Sequence, residues 1–256
     1  MNYTINQWYG RLGNNIQQIS NAIHYCQQNK AKFSCKSHHL INEIKINFGP
    51  KEVSSGRYFY YSGKNKDFEC DVIELNKKRR QICQEFIYPN LKIPHQQISE
   101  RTLVIHIRGG DAFTLSPHSS YLQNPLSYYN HIIENFEQVL IVTEKSKKNP
   151  VIQELIKNKK VSIQTQSLEK DFATLLFCHN LATSGVGTFS ISAALCSNHL
   201  KNLYCTDIFM TEHLNPTMLQ DCEGVSVYMT KIQNYISIGE WRNTAEQRRK
   251  MLEHKI

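Results

Sequence analysis

The chain has 256 residues, of which 40% are hydrophobic and 20% are charged. This composition argues against a disordered chain and suits one large or two small globular domains. The formal net charge of +8 favours anionic partners, namely nucleotide phosphates, nucleic acid or an acidic membrane surface, without choosing among them.

The eight cysteines include no CxxC pair, so their spacing predicts neither a zinc ribbon nor a zinc knuckle. Several lie inside apolar runs, and we therefore expect buried free thiols rather than a disulfide framework. The sequence shows no signal region, and no apolar run approaches the ~18 residues of a membrane span. We expect a cytoplasmic protein, with at most a weak peripheral contact at the inner face of the membrane.

The first part of the chain predicts one α/β unit. A strand is expected at residues 3–9, a turn at 10–14 and a helix at 14–28. The apolar stripe of this helix consists of Ile16, Ile19, Ile23 and Cys26. Residues 45–70 are polar and punctuated by glycine, and no element is predicted there. Prolines interrupt the pattern near residue 95, which predicts two domains, residues 1–95 and 96–256.

The second part of the chain alternates strand and helix signals. Strands are predicted at residues 103–107, 139–142, 161–163, 181–183 and, as the final strand, 203–205. Helices are predicted at residues 150–158, 168–179 and 189–196, with a polar, solvated helix at 244–254. This alternation predicts a parallel sheet with right-handed crossovers, and hence a Rossmann-like domain.

The segment HIRGGD, residues 106–111, lies at the carboxyl end of the strand predicted at 103–107. Ligands bind at the carboxyl ends of strands in parallel sheets, where Arg108 can clamp a diphosphate. The paired glycines would let backbone N–H groups approach an anion, and Asp111 can orient Arg108 or His106. A tight turn with a surface ion pair explains the segment equally well.

Two further segments join a predicted strand to a predicted helix. TSGVGTFS, residues 183–190, places small and hydroxyl side chains at a helix N-terminus, which favours an anion site. No Gly-Lys-Ser/Thr follows, which disfavours a nucleotide triphosphatase, and a helix capped by Ser or Thr is the simpler interpretation. GRLGNN, residues 10–15, predicts by itself only a loop and a capped helix.

In combination, these segments and Asp171 resemble the motifs of the α-1,2-fucosyltransferase family. They are more distantly similar to those of the α-1,6- and protein O-fucosyltransferases, and their order agrees over residues 9–206. The resemblance implies an α/β fold of GT-B type, with two Rossmann-like domains facing a cleft, the donor on the C-terminal and the acceptor on the N-terminal one. It also implies an inverting, metal-independent transfer of fucose from GDP-fucose to a hydroxyl of a surface polysaccharide or oligosaccharide, without a cofactor.

The resemblance implies roles for individual residues. Arg108 matches the essential arginine on the donor diphosphate, and Asn14 matches an asparagine close to the sugar; these two are the predicted catalytic residues. The donor-binding residues are expected to be His106, Arg108, Asp111, Asp171, Ser184, Gly187, Thr188, Phe189 and Ser190. The loop around the sugar and the acceptor is expected to contain Gly10, Arg11, Gly13 and Asn14.

The chain departs from the family pattern at two places. Gly109 stands where the family has a second arginine, so another GDP-sugar donor, such as GDP-heptose, is an alternative. Ile191 and Ser192 stand where the family has tryptophans, which leaves the acceptor and the packing of this helix open.

No DxD pair for Mg²⁺ or Mn²⁺ occurs in the sequence, and an arginine can supply the same electrostatic stabilisation. The pair His38-His39 lacks the further ligands of a zinc site. For the general base, His118 and Glu43 are two candidates between which the sequence does not decide.

A nucleic-acid-binding protein is the alternative from a different functional class, because of the net charge of +8. Lysines spread along the chain and the lack of a nucleic-acid-binding motif argue against it. A fold that binds a nucleotide without turnover is a third possibility, against which Arg108 argues. The acceptor, the linkage and the oligomeric state stay open.

Overall fold

The structure, a computed structural model, describes residues 2–50, 54–145 and 148–256. These residues form an α/β protein with two sheets, which confirms the predicted class. The strands of the first sheet are β1 (Asn2–Ile5), β2 (Lys32–Cys35), β3 (Ile44–Asn47) and β4 (Ser54–Arg57). Their order is β3-β2-β1-β4; β1 is parallel to β2 and β4, and β3 is antiparallel to β2.

The second sheet is parallel throughout its described strands. These are β5 (Thr102–Ile107), β6 (Gln138–Thr143), β7 (Val161–Gln164), β8 (Asn180–Ala182), β9 (Asn202–Thr206) and β10 (Ser226–Thr230). The order β7-β6-β5-β8-β9-β10 is that of a Rossmann-type sheet. The central strand β5 is buried along its whole length, as expected where helices cover both faces of a parallel sheet.

Seven α-helices lie in the described part of the chain. They are α1 (Leu12–Gln28), α2 (Val72–Ile82), α3 (Leu126–Ile133), α4 (Pro150–Leu155), α5 (Leu168–Phe177), α6 (Phe189–Cys196) and α7 (Ala245–Glu253). The sequence predicts α1 and α4–α7 to within a few residues and misses α2 and α3. It also misses β2, β3, β4 and β10, so the strand predicted to be the last is followed by another. These missed strands are short, and neither β3 nor β10 has a continuous buried run.

The first helix is buried on nearly all sides, whereas the sequence predicts a single apolar stripe. Its apolar side chains are fully buried, but so are several amides. Gln18 Nε2 donates to the carbonyls of Gln7 and Tyr58 at 2.8 and 2.7 Å. Asn21 Nδ2 donates to the Phe59 carbonyl at 2.9 Å. The polar side of α1 therefore holds the segment after β4 in place.

The two sheets share a hydrophobic core. One apolar cluster extends from β1 and α1 to α5, α6 and β9, and a second fills the opposite side of the second sheet. Arg80 of α2 donates to the carbonyls of Ala194 and Ser197 at the end of α6, where a cation also complements the helix dipole. The boundary predicted at residues 95–96 lies in the segment before β5 that has no helix or strand.

The last helix is solvated on one side only. Met251 is fully buried in the cluster that includes α3 and α4, so it is not free to contact a membrane surface. No helix within the described residues is long and apolar enough to cross a membrane. All eight cysteines are free, and six of them are buried, as the apolar runs around them predict.

Candidate functional site

The candidate site is a cleft of about 540 Å³ at the carboxyl edge of the second sheet. The loops that follow β5 and β8 border the point where the strand order reverses, which is where open parallel sheets bind ligands. The loop between β1 and α1 and the segment after β4 form the other wall. The predicted site residues that line the cleft are Gly10, Arg11, Gly13, Asn14, His106, Arg108, Asp111, Asp171, Gly187, Thr188 and Phe189.

Arg108 directly follows β5, and its side chain is only 17% exposed. Its Nε and Nη2 donate to the two carboxylate oxygens of Asp111 at 2.8 and 2.9 Å. The guanidinium carbon lies 3.7 Å from the centre of the Tyr121 ring. Burial lowers the pKa of Arg108, but the hydrogen bond to Asp111 more than compensates, so the group stays a cation. Asn149 also donates to the Arg108 carbonyl at 3.1 Å.

The three sequence motifs meet in this cleft. Thr188 Oγ1 hydrogen-bonds Asn14 Oδ1 at 2.8 Å, which joins the first motif to the third. Gly13 permits this approach, because a Cβ at that position would lie 2.6 Å from the Thr188 hydroxyl and 2.8 Å from its backbone. A Cβ at Gly187 would lie 3.8 Å from Arg108 Nη1, so the third motif also adjoins the second.

Thr188 corrects the expectation that a Ser or Thr side chain caps α6. It occupies the N-cap position, but its side chain makes no capping hydrogen bond. Its hydroxyl bonds Asn14 instead. The Thr188 side chain could have capped its own helix, but it connects the two halves of the molecule instead.

Ser184 and Ser190 are buried at 0% and 1% exposure, and neither lines the cleft, although both are predicted donor contacts. Ser184 directly precedes the turn that Gly185 makes at φ +88°, which glycine adopts without strain, whereas Ser190 lies in the first turn of α6. The sequence gives no signal for Asn124, whose side chain holds this loop in place. Its Nδ2 donates to the Thr183 carbonyl at 2.9 Å, and its Oδ1 accepts from Thr206 Oγ1 in β9 at 2.7 Å.

The glycine turn after Arg108 is already occupied by a carboxylate. Glu144, which follows β6, accepts hydrogen bonds from the N–H groups of Gly109, at 3.2 Å, and of Gly110. Arg11 donates to the same carboxylate at 2.7 Å. Burial raises the pKa of Glu144, but Arg11 and the two N–H groups hold it below its usual value. The expectation that these N–H groups are open to a ligand is therefore corrected: a side chain from the neighbouring strand reaches them.

His106 lies at the buried base of the cleft with 8% exposure. No described residue bonds its Nδ1, and its ring centre lies 5.3 Å from that of Phe189. Burial lowers the pKa of His106 to about 4, so the ring is neutral at neutral pH. The sequence allows Asp111 to orient either Arg108 or His106. In the structure it bonds Arg108 and not His106.

Asp171 lies in the first turn of α5 and lines the cleft near Phe189. Its carboxylate accepts hydrogen bonds from Gln164 Nε2 at 2.9 Å and from the Gln166 N–H at 3.1 Å. Burial raises the pKa of Asp171 despite these bonds. The side chain is thus held in a fixed orientation at the edge of the cleft.

The wall that the first half contributes is aromatic. The ring centre of Tyr60 lies 4.5 Å from that of Tyr9 and 4.8 Å from that of Tyr61. The Tyr60 hydroxyl lies 2.8 Å from Nδ1 of His213. Burial lowers the pKa of His213, which favours the neutral ring that can accept a proton. The sequence does not reveal these residues, because single tyrosines and histidines form no motif.

The two general-base candidates from the sequence lie in different places. His118 lines the cleft. Glu43 lies outside it, on the exposed side of the first sheet, where it pairs with Lys45 at 3.0 Å. His118 and His213 are therefore the histidines, besides the neutral His106, that line the cleft.

No group of three or more His, Cys, Asp or Glu side chains within residues 2–50, 54–145 and 148–256 is placed to hold a metal ion. Comparisons with known proteins give no relative: no protein family, no curated protein and no solved structure matches the chain. The function is accordingly inferred from the geometry of the cleft.

Proposed function

We propose that the protein is a glycosyltransferase that transfers a sugar, fucose in the first instance, from a GDP-linked donor to a hydroxyl of a glycan. The observation that carries this proposal is the meeting of Arg108, Asn14 and Thr188 in one cleft. These residues belong to segments that are far apart in the sequence. Their convergence at the ligand-binding edge of a Rossmann-type sheet supports a common role.

The proposal includes a GT-B arrangement, with the donor against the second sheet and the acceptor against the first. Two α/β units that border a cleft, and the strand order of the second sheet, support it. The first sheet is smaller, with four described strands and an antiparallel edge. The acceptor side is therefore a reduced version of the donor side.

On the donor side, Arg108 would bind the diphosphate and stabilise the negative charge that develops on it as the sugar leaves. Its orientation is set in advance by Asp111 and by the Tyr121 ring, which lowers the cost of ordering the side chain on binding. Phe189 and Asp171 would contact the nucleoside, and Asn14 would contact the sugar.

On the acceptor side, Tyr9, Tyr60 and Tyr61 offer ring faces on which the C–H groups of a sugar can pack. The acceptor hydroxyl must lose a proton during transfer, and a neutral histidine within reach can accept it. His213 suits this step in the tautomer whose Nδ1–H donates to the Tyr60 hydroxyl and leaves Nε2 free to accept the proton. His118 also lines the cleft, but its Nδ1 already accepts from the Ser120 N–H at 3.2 Å.

Thermal unfolding with nucleotides tests the donor site. We expect GDP to raise the melting temperature in the presence of EDTA, and UDP, CMP and ADP to have little effect. At 100-fold excess over Kd, binding adds about 2.7 kcal/mol to the free energy of unfolding, which raises the melting temperature by roughly 5 °C or more. Arg108→Ala should abolish this shift.

Arg101→Ala is the matched control, because this arginine is 79% exposed and pairs only loosely with Glu137, at 3.7 Å. It should keep the full GDP shift. A preference for UDP or CMP, or a shift that survives Arg108→Ala, would contradict the proposal. Incubation with GDP-fucose and with GDP-heptose, followed by detection of released GDP, then separates the two donors.

A further inference from the structure

The cleft contains a second anion subsite beside Arg108. It is formed by the N–H groups of Gly109 and Gly110 and by the guanidinium of Arg11. In the structure this subsite holds the carboxylate of Glu144, with one oxygen on the two N–H groups and the other on Arg11. Three donors thus converge on one anionic group, as they do where proteins bind a phosphate.

Gly110 shows that this subsite is shaped for an anion at close range. A Cβ at this position would lie 2.6 Å from Oε2 of Glu144 and 2.9 Å from its carboxyl carbon. The absence of a side chain at Gly110 therefore permits the close approach of an anionic group to the backbone N–H.

Two arginines and two carboxylates pair with each other at this subsite. Arg11 also pairs with Asp111 at 3.0 Å, and Asp111 holds Arg108 through two hydrogen bonds. Two arginines thus face two carboxylates, and a ligand with two adjacent phosphates cannot add its charge without displacing one of them. Asp111 is held to Arg108 by two hydrogen bonds within one short turn, whereas Glu144 reaches the subsite from the segment that follows the neighbouring strand β6.

We propose that Glu144 is an internal stand-in for a ligand phosphate, and that a diphosphate-bearing ligand binds by displacing it from Arg11 and the glycine N–H groups. Arg11 then serves as the second cation of the site, beside Arg108. This inference rests on the proposed function for the identity of the complete ligand. The subsite itself requires only two linked phosphates.

Titration calorimetry with inorganic pyrophosphate tests the subsite without a nucleoside or a sugar. Glu144→Gln keeps the size of the side chain and removes its charge, so the carboxylate no longer competes for Arg11. We expect Glu144→Gln to bind pyrophosphate about tenfold more tightly than the wild type. The double variant Arg11→Gln/Glu144→Gln should lose this gain.

Glu154→Gln is the control for the removal of one negative charge, because Glu154 pairs with Lys157 on the surface at 2.6 Å. It should bind pyrophosphate as the wild type does. Unchanged or weaker binding by Glu144→Gln, with a melting temperature that shows the variant to be folded, would mean that Glu144 does not compete with the ligand and would overturn the proposal. A lack of binding by both proteins would overturn it as well. If GDP shows no preference while Glu144→Gln still gains affinity for pyrophosphate, the proposed donor is wrong and the subsite stands.

Discussion

The two walls of the cleft have different chemistry. The wall from the second sheet carries a cation, Arg108, that is held by Asp111 and a ring face, and its loops are short and glycine-rich. The wall from the first half carries packed tyrosines and Asn14, which hydrogen-bonds Thr188 of the other wall. Under the proposed function, the first wall would bind charged phosphates and the second would bind neutral sugar rings. The walls can differ in this way because each comes from a separate sheet.

The largest expected effect is on stability and concerns His106, at the buried base of the wall from the second sheet. His106 has its pKa lowered to about 4 by burial, whereas it is about 6.5 in an unfolded chain. Between these values the unfolded state binds more protons, so the wild type loses stability as pH falls from about 6.5 to 4. The loss attributable to His106 is about 3 kcal/mol.

His106→Gln removes this titration. Urea unfolding at pH 7 and at pH 4.5 should therefore show a smaller loss of stability for the variant than for the wild type, by about 2 to 3 kcal/mol. The difference between the two proteins isolates His106 from the other buried histidines. An equal loss in both proteins would mean that His106 titrates normally.

The next effect is also on stability and concerns the contact between the two walls, where Gly13 and Asn14 meet Thr188. Gly13→Ala places a Cβ within 2.6–2.8 Å of Thr188 atoms, including its backbone. We expect this overpacking to lower the free energy of unfolding by about 1–3 kcal/mol and to weaken GDP binding, because it pushes the two walls apart. Chemical unfolding measures the first effect and calorimetry the second.

Gly187→Ala is the matched comparison for stability. A Cβ there would lie 3.5 Å from Ser184 and 3.8 Å from Arg108, which is ordinary contact. Its free energy of unfolding should change by less than about 1 kcal/mol. If Gly187→Ala destabilises the protein as much as Gly13→Ala does, the close contact between Gly13 and Thr188 is not what makes Gly13→Ala destabilising.

The smallest expected effect is on the rate of sugar transfer and tests whether the two walls act on different substrates. Tyr60→Phe removes the hydroxyl that lies 2.8 Å from His213 and keeps the aromatic face. We expect GDP affinity to stay unchanged and sugar transfer to slow about fivefold, which corresponds to the ~1 kcal/mol of one hydrogen bond. Calorimetry with GDP and a GDP-release assay separate the two. A loss of GDP affinity would place Tyr60 on the donor side.

The sequence predicts much of the wall from the second sheet and little of the wall from the first half. HIRGGD and TSGVGT each lie at the carboxyl end of a strand whose apolar run is visible in the sequence, so their place at the sheet edge is predictable. Tyr60 and His213 lie in segments without periodicity, and they meet only because the polar side of α1 holds the chain after β4. Asn124 is likewise a single amide in a loop, whose role depends on β9.

The α/β class, most helices and strands of the second sheet, and the segments that form the wall from this sheet follow from the sequence alone. They depend on local periodicity and on glycine and proline, which act within a few residues. The bond from Thr188 to Asn14 in place of a helix cap, the burial of Ser184 and Ser190, and the place of Glu144 at the glycine turn depend on the tertiary structure. Each of these is a contact between residues far apart in the chain, where hydrogen-bond donors bind whichever acceptor the packing brings nearest.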